Sequence, residues 1–224
     1  MKTIKGTRKQ LEKQASKILE KEIKRLLKKQ PSIIIGLIGG TSISGIFSHL
    51  KNINLEWNKI HFFMIDERQV PITSKSSNFN IGKKSFLNYL IKNKKIDKEH
   101  LHPYNYKKPL NVYENELKAH KAKFDIAILS SGEDAHVAAL FPNHNSIKSN
   151  ENYFIKFDNS PKPPKKRMSA TRKLLEKSQV ALLLFFGDNK KQAYESFKNK
   201  KLPLTKVPAK LVNKIKKVYV FRDG

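Results

Sequence analysis

Ser32-Ile33-Ile34-Ile35-Gly36-Leu37-Ile38 is a short continuous apolar run, and Gly39-Gly40-Thr41-Ser42 follows it directly. A run without alternation suits a strand buried on both faces. The glycine pair ends it, and Ile43–Leu50 can be helical. Strand, polar turn and helix together make the repeating unit of parallel sheets.

The unit recurs along the chain. Ile60–Ile65 (IHFFMI) reads as a second buried strand that ends in Asp66-Glu67-Arg68, with a helical stretch over Phe79–Ile91. Val112–Ala122 is weakly helical, and Phe124–Leu129 (FDIAIL) is a third strand running into Ser130-Ser131-Gly132-Glu133-Asp134. Tyr153–Phe157 is a further strand. Gln179–Phe186 is a fourth buried strand, and Asp188–Asn199 a helix with Asp188 as its N-cap. Lys217–Arg222 is the last strand. Before all of these, Leu11, Ala15, Ile18, Leu19, Ile23, Leu26 and Leu27 make an apolar stripe over residues 8–30, an amphipathic helix stopped by Pro31. The sequence therefore predicts an α/β fold: three layers, with a mostly parallel sheet and helices on both faces. No repeat or long linker divides the 224 residues, so one domain is expected.

Composition narrows the function. There is no cysteine, which removes disulfides, zinc-thiolate sites and thiol nucleophiles. No apolar segment follows Met1–Gly6 and none approaches the length of a membrane span, so a cytoplasmic protein is expected. The net charge is +27, yet only six of the 46 basic residues are arginine. Nucleic-acid sites rely on arginine for bidentate contacts. Lysine spread evenly among many Ile and Asn fits compositional drift better than a nucleic-acid partner, although such a charge still attracts anionic substrates.

Ligands of open parallel sheets sit beyond the carboxyl ends of the strands. Three polar clusters fall there. Gly39, Gly40, Thr41 and Ser42 can hold an anion, or can simply form a tight turn. Asp66-Glu67-Arg68-Gln69-Val70-Pro71 puts three charges directly after an apolar strand, either as a solvated loop or as the lining of a site. Gly132-Glu133-Asp134-Ala135-His136 places a carboxylate two residues before an imidazole at what reads as a strand-to-helix turn. That pair can take a proton from water, or Asp134 can merely cap a helix. A fourth segment, Ser160–Arg167 (SPKPPKKR), is a proline-stiffened basic loop. Among the other histidines, His49 and His120 fall in helical stretches and His61 in a strand. His100 and His102 could pair on a metal, but with no acidic residue nearby a plain loop is favoured.

These clusters, in this order, resemble the 6-phosphogluconolactonase family, within the larger group that includes glucosamine-6-phosphate deaminases. The likeness runs from about Ile33 to Asp223. Trp57-Asn58-Lys59, DERQVP and Ser77-Asn78-Phe79 resemble one family stretch, GEDAHVAALFP a second, and SPKPPKKRMSAT a third. Leu202-Pro203 and Phe221-Arg222-Asp223 match late family features. The deaminase branch fits less well. It usually has Tyr where Arg68 stands, and a Phe-Asn-Glu-Pro-like stretch where Leu140-Phe141-Pro142 stands.

The resemblance implies a modified Rossmann fold of the 6-phosphogluconolactonase/ribose-5-phosphate isomerase type. It implies hydrolysis of 6-phospho-D-glucono-1,5-lactone to 6-phosphogluconate in the oxidative pentose phosphate pathway. His136 would be the general base and Asp134 its orienting partner. Arg68, Arg167 and Lys162, with Gly39–Ser42, would bind the substrate phosphate, and Asp66, Glu67 and Gly132 would line the site. No metal and no organic cofactor are implied, and the partner is a small phosphorylated sugar lactone bound by a monomer or weak homo-oligomer. The alternatives are a deaminase-like sugar-phosphate isomerase and a divergent inactive basic binding protein. This sequence departs from the family pattern at Ser130 and Ala135, where glycines are usual. It also departs at Val137, where Thr is usual, and at Thr41-Ser42-Ile43. An alanine forced to positive φ at position 135 would cost on the order of 1 kcal/mol.

Overall fold

The computed structural model describes every residue except Thr41 and Gly224. The chain opens with a strand the sequence did not announce, β1 (Lys2–Gly6), and continues into α1 (Arg8–Leu27). Thr7 and Gln10 form a capping box at the helix start. The anticipated stripe is the buried face: Leu11, Ala15, Leu19, Ile23 and Leu26 are all excluded from water. Then come β2 (Ile33–Leu37), α2 (Ser44–Leu50), β3 (Ile60–Met64) and β4 (Asp66–Arg68). One helical stretch follows, made of α3 (Asn78–Gly82), a π-turn and α4 (Asn88–Lys92). The middle of the chain holds β5 (Leu101–His102), α5 (Leu110–His120), β6 (Ile126–Ser130), α6 (Asn145–Lys148) and β7 (Phe154–Phe157). The last part is β8 (Arg167–Ala170), α7 (Arg172–Glu176), β9 (Val180–Phe185), α8 (Lys191–Lys198) and β10 (Lys217–Asp223).

Seven strands form one sheet in the order β1-β10-β9-β6-β2-β3-β5, and every ladder in it is parallel. All residues of β2 and β9 are buried. Successive residues of a strand point to opposite faces, so the sheet is covered on both sides, as the apolar runs predicted. The third strand starts later than expected. Asp125, fully buried, accepts hydrogen bonds from Ile34 N and Gln179 Nε2, so it ties β2 to the chain before β9 and leaves the ladder to begin at Ile126.

A second sheet, β4-β8-β7, is antiparallel. It explains why the DER segment is not a solvated loop. Asp66 and Glu67 are buried because they pair in a ladder against Ser169 and Met168. Asp188 is not an N-cap. Gly187, at φ 103°, precedes a 3-10 turn over Asp188–Lys190, and the exposed Asp188 carboxylate only approaches Lys191 at 3.3 Å.

Candidate active site

The carboxyl ends of β2, β3 and β6 bring the predicted clusters to one rim. The Gly132–His136 segment is a closed turn and no helix follows it, contrary to the strand-to-helix expectation. Gly132 N donates to His136 O at 2.8 Å, and Ala135 N donates to Gly132 O at 3.1 Å. Val137 and Leu140 then make an isolated bridge. Asp134 therefore caps no helix. Its Oδ1 accepts from His136 Nδ1 at 2.5 Å, and more weakly from His136 N at 3.3 Å. Burial alone would raise the Asp134 carboxyl. The hydrogen bonds and charge of His136, with Lys162 behind them, outweigh it and hold Asp134 down at about 2. An ionised carboxylate only accepts, so the Nδ1 proton points at Asp134, and in the neutral ring the Nε2 lone pair faces away.

This geometry depends on position 132 having no side chain. A Cβ there would lie 2.1 Å from His136 Cε1 and Nδ1. Ala135 takes φ 64°, the strained left-handed conformation that the missing glycine would have relieved. Its carbonyl accepts from Ala209 N at 3.0 Å, which anchors the turn. Ser130 does not share this strain. Its φ is not positive, and its hydroxyl donates to Ser42 Oγ at 3.2 Å, linking β6 to the Gly39–Ser42 loop. Val137 is fully buried in the core.

Arg68 and Arg167 are register partners on β4 and β8. Like charges directly opposite in an antiparallel pair repel, and burial sharpens the penalty. Burial, then the Arg68 charge, push Arg167 below the usual arginine range. The two side chains are held differently. Arg167 is spent on the proline loop, its Nε donating to Pro164 O and its Nη2 to Pro163 O, both at 2.8 Å. Arg68 Nη1 donates to Ser76 O at 2.7 Å, and its buried Nε has no partner among the described residues. Burial raises the Asp66 carboxyl, while the charges of Arg68, Arg167 and His136 oppose that rise.

The clusters are stitched together by contacts that the sequence reading did not anticipate. Asn78 Nδ2 donates to both Asp66 O and Asp66 Oδ2 at 3.0 Å, and its side chain fills the space a Cβ on Gly39 would need. Glu67 accepts from Asn78 N, Phe79 N and Ser77 Oγ, so it caps α3 from inside. Ser169 of β8 accepts from Ala139 N at 3.2 Å, joining the arginine strand to the His136 turn. Lys162 lies 3.9 Å from Asp134 Oδ1, and only its carbonyl meets Arg167. Lys190, after β9, is a further cation here. Burial lowers its ammonium, and Glu133, Lys162 and Asp134 are the charges it feels. The rule that strand-end loops line the site would have flagged it. Gly40 takes φ 98°, and Thr41 lies outside the described residues.

Fold and rim together define an α/β protein that gathers an acid–base pair and a block of cations at the carboxyl edge of a parallel sheet. The sequence pattern of the family described as glucosamine-6-phosphate isomerases/6-phosphogluconolactonase matches residues 6–220, and the chain belongs to that family. A 6-phosphogluconolactonase of Borreliella burgdorferi is 35% identical over 184 residues, covering 80% of this chain and 78% of the relative. One from Thermotoga maritima is 33% identical over 174 residues, covering 75% and 76%. The crystal structure of a Thermotoga maritima 6-phosphogluconolactonase superimposes with a TM-score of 0.87 at 26% identity, covering both chains fully. A monomeric glucosamine-6-phosphate deaminase also superimposes, with a TM-score of 0.83 at 20% identity, over 100% of this chain and 97% of that one. The fold is therefore common to both branches, and the rim residues must separate them.

Proposed function

We propose that the chain hydrolyses 6-phospho-D-glucono-1,5-lactone to 6-phosphogluconate, as a 6-phosphogluconolactonase of the oxidative pentose phosphate pathway. One observation carries the reading: the Asp134–His136 pair shares a rim with the Arg68–Arg167 pair. An arginine pair placed face to face is relieved by a dianion, and a phosphoryl group supplies one. The 6-phosphate sits against the Arg68 guanidinium, with Arg167 shaping the loop around it and the turn at Gly39, Gly40 and Ser42 offering further donors.

With the phosphate anchored, C1 of the lactone is presented to His136. Its Nε2 takes a proton from water as that water attacks the carbonyl carbon. Asp134 holds the ring in the required tautomer and stabilises the imidazolium. Lys162 and Lys190 supply positive charge where the tetrahedral oxyanion develops. Collapse of the intermediate breaks the bond from C1 to the ring oxygen, and the imidazolium returns its proton to that oxygen. Remote phosphate binding keeps the reacting atoms in register. The strain at Ala135 is small beside such effects, and the 2.5 Å contact is kept despite it.

We read the whole chain as one catalytic domain because one continuous cluster of buried residues joins α1 to β10. We place the reaction in the cytoplasm, a reducing compartment that suits a cysteine-free chain. Among the described residues, no helix is long and apolar enough to cross a membrane. Incubating purified protein separately with the fresh lactone and with glucosamine 6-phosphate tests the choice of branch. Acid release from the first supports the proposal, and ammonia release from the second would replace it with the deaminase reading.

A further inference from the structure

Far from this rim, at the opposite end of the sheet edge, three histidines converge. His61 lies on β3, His102 on the edge strand β5, and His120 is the last residue of α5. One ring nitrogen from each falls within 4.8 Å of the other two. We propose that His61, His102 and His120 form a binding site for one divalent ion of the zinc class, which clamps α5 onto the edge of the sheet.

The donor set and its support fit such an ion. Imidazole suits zinc, copper and nickel. Nitrogens bound tetrahedrally at about 2.0–2.1 Å lie roughly 3.4 Å apart. His61 Nδ1 and His102 Nε2 are 3.0 Å apart, and a His120 ring nitrogen lies within 4.8 Å of the donor atoms of both. His102 has the orientation of a ligand. Its Nδ1 donates to Glu116 Oε1 at 2.6 Å, so its Nε2 presents a lone pair to the other two rings. A carboxylate holding the far nitrogen of a histidine is the usual support for a metal-bound ring. Phe63 stacks flat on His102, with centroids 3.9 Å apart, and fixes its plane.

His100 is excluded as a ligand. Its Nδ1 accepts from Asp97 N, its Nε2 donates to Asn58 O, and its ring stacks on His61. Lys121, the neighbouring cation, is drawn away to Ser32 O and Asp125. His61 and His120 are only half-buried, so water can reach the fourth position. The site is structural in character: His61 stands one residue into β3, whose carboxyl end leads to the rim.

The test uses full-length protein without a polyhistidine tag, stripped with chelator and titrated with zinc against a chromophoric chelator, and with cobalt for its visible spectrum. The expected result is one equivalent of zinc with Kd below about 10 μM, tetrahedral cobalt bands and a higher Tm. His61→Ala and His120→Asn should each weaken binding on the order of 100-fold, and Glu116→Gln about 10- to 100-fold. His136→Ala should bind as wild type does. Binding no tighter than about 1 mM would overturn the proposal. So would binding that survives His61→Ala and His120→Asn, or that is lost in His136→Ala.

Discussion

His136 Nδ1 lies 2.5 Å from Asp134 Oδ1, and among the described residues Asp134 has no comparably close partner, with Lys162 at 3.9 Å. The carboxylate is thus committed to orienting one ring. Asp134→Asn keeps the shape but permits the wrong tautomer, and should lower kcat on the order of 10²- to 10⁴-fold with little change in KM. Steady-state kinetics on the fresh lactone measure it. The same residue sets a pH signature. Burial opposes ionisation of Asp134, but His136 and Lys162 hold the carboxyl at about 2, below its ordinary value of 3.8. A depressed carboxyl stabilises the fold above the ordinary value and loses that contribution as pH falls toward 2. Urea melts should therefore show a gap between wild type and Asp134→Asn that is present at about pH 4 and closes on further acidification.

Gly132→Ala should be among the most damaging single-methyl changes at the rim. The new Cβ would meet His136 at 2.1 Å, so the ring must leave its position beside Asp134. We expect kcat to fall at least about 100-fold while the variant still folds, as judged by circular dichroism. Unchanged kcat would show that the turn tolerates displacement of the ring.

Ala135→Gly should do the reverse. Ala135 sits at φ 64° with its methyl buried, so glycine removes strain and gives up one packed methyl. Stability should rise by up to about 1 kcal/mol, with kcat equal to or above wild type. Thermal and urea melts read the first quantity. A stability loss beyond about 1 kcal/mol would mean that the methyl matters more than the backbone.

Arg68 and Arg167 face each other across one ladder but should respond differently. Arg68→Ala removes an anion contact and should cut the preference for phosphorylated over unphosphorylated gluconolactone about 10- to 100-fold, with Tm little changed. Arg167 also holds the carbonyls of Pro163 and Pro164. Arg167→Ala should lose the same preference and also lower Tm, because the proline loop loses the donors that hold its carbonyls.

Local pattern made much of this molecule legible. The buried strands β2 and β9 are unbroken apolar runs, β3 is interrupted only by His61 and β6 ends in Ser130, and α1 carries its stripe at helical spacing. The Asp134–His136 pair was readable because its members are two residues apart. What escaped was long-range. The strand β1 is mostly exposed and is a strand only because β10 lies beside it. The DER segment reads as a polar loop until β8, about 100 residues later, pairs with it. His61, His102 and His120 span 60 residues, and sequence proximity suggested His100 instead of the two rings that actually converge. Glu116, the acidic partner that seemed lacking, is brought to His102 by the register of α5.

The most direct measurement is acid release from freshly prepared 6-phosphogluconolactone, followed side by side for wild type, His136→Ala and the spontaneous reaction. Wild type should hydrolyse the lactone well above the spontaneous rate, and His136→Ala should lose on the order of 10²- to 10⁴-fold in kcat while still binding 6-phosphogluconate. A wild-type rate no faster than the spontaneous one would contradict the assigned reaction, and equal rates for wild type and His136→Ala would contradict the base.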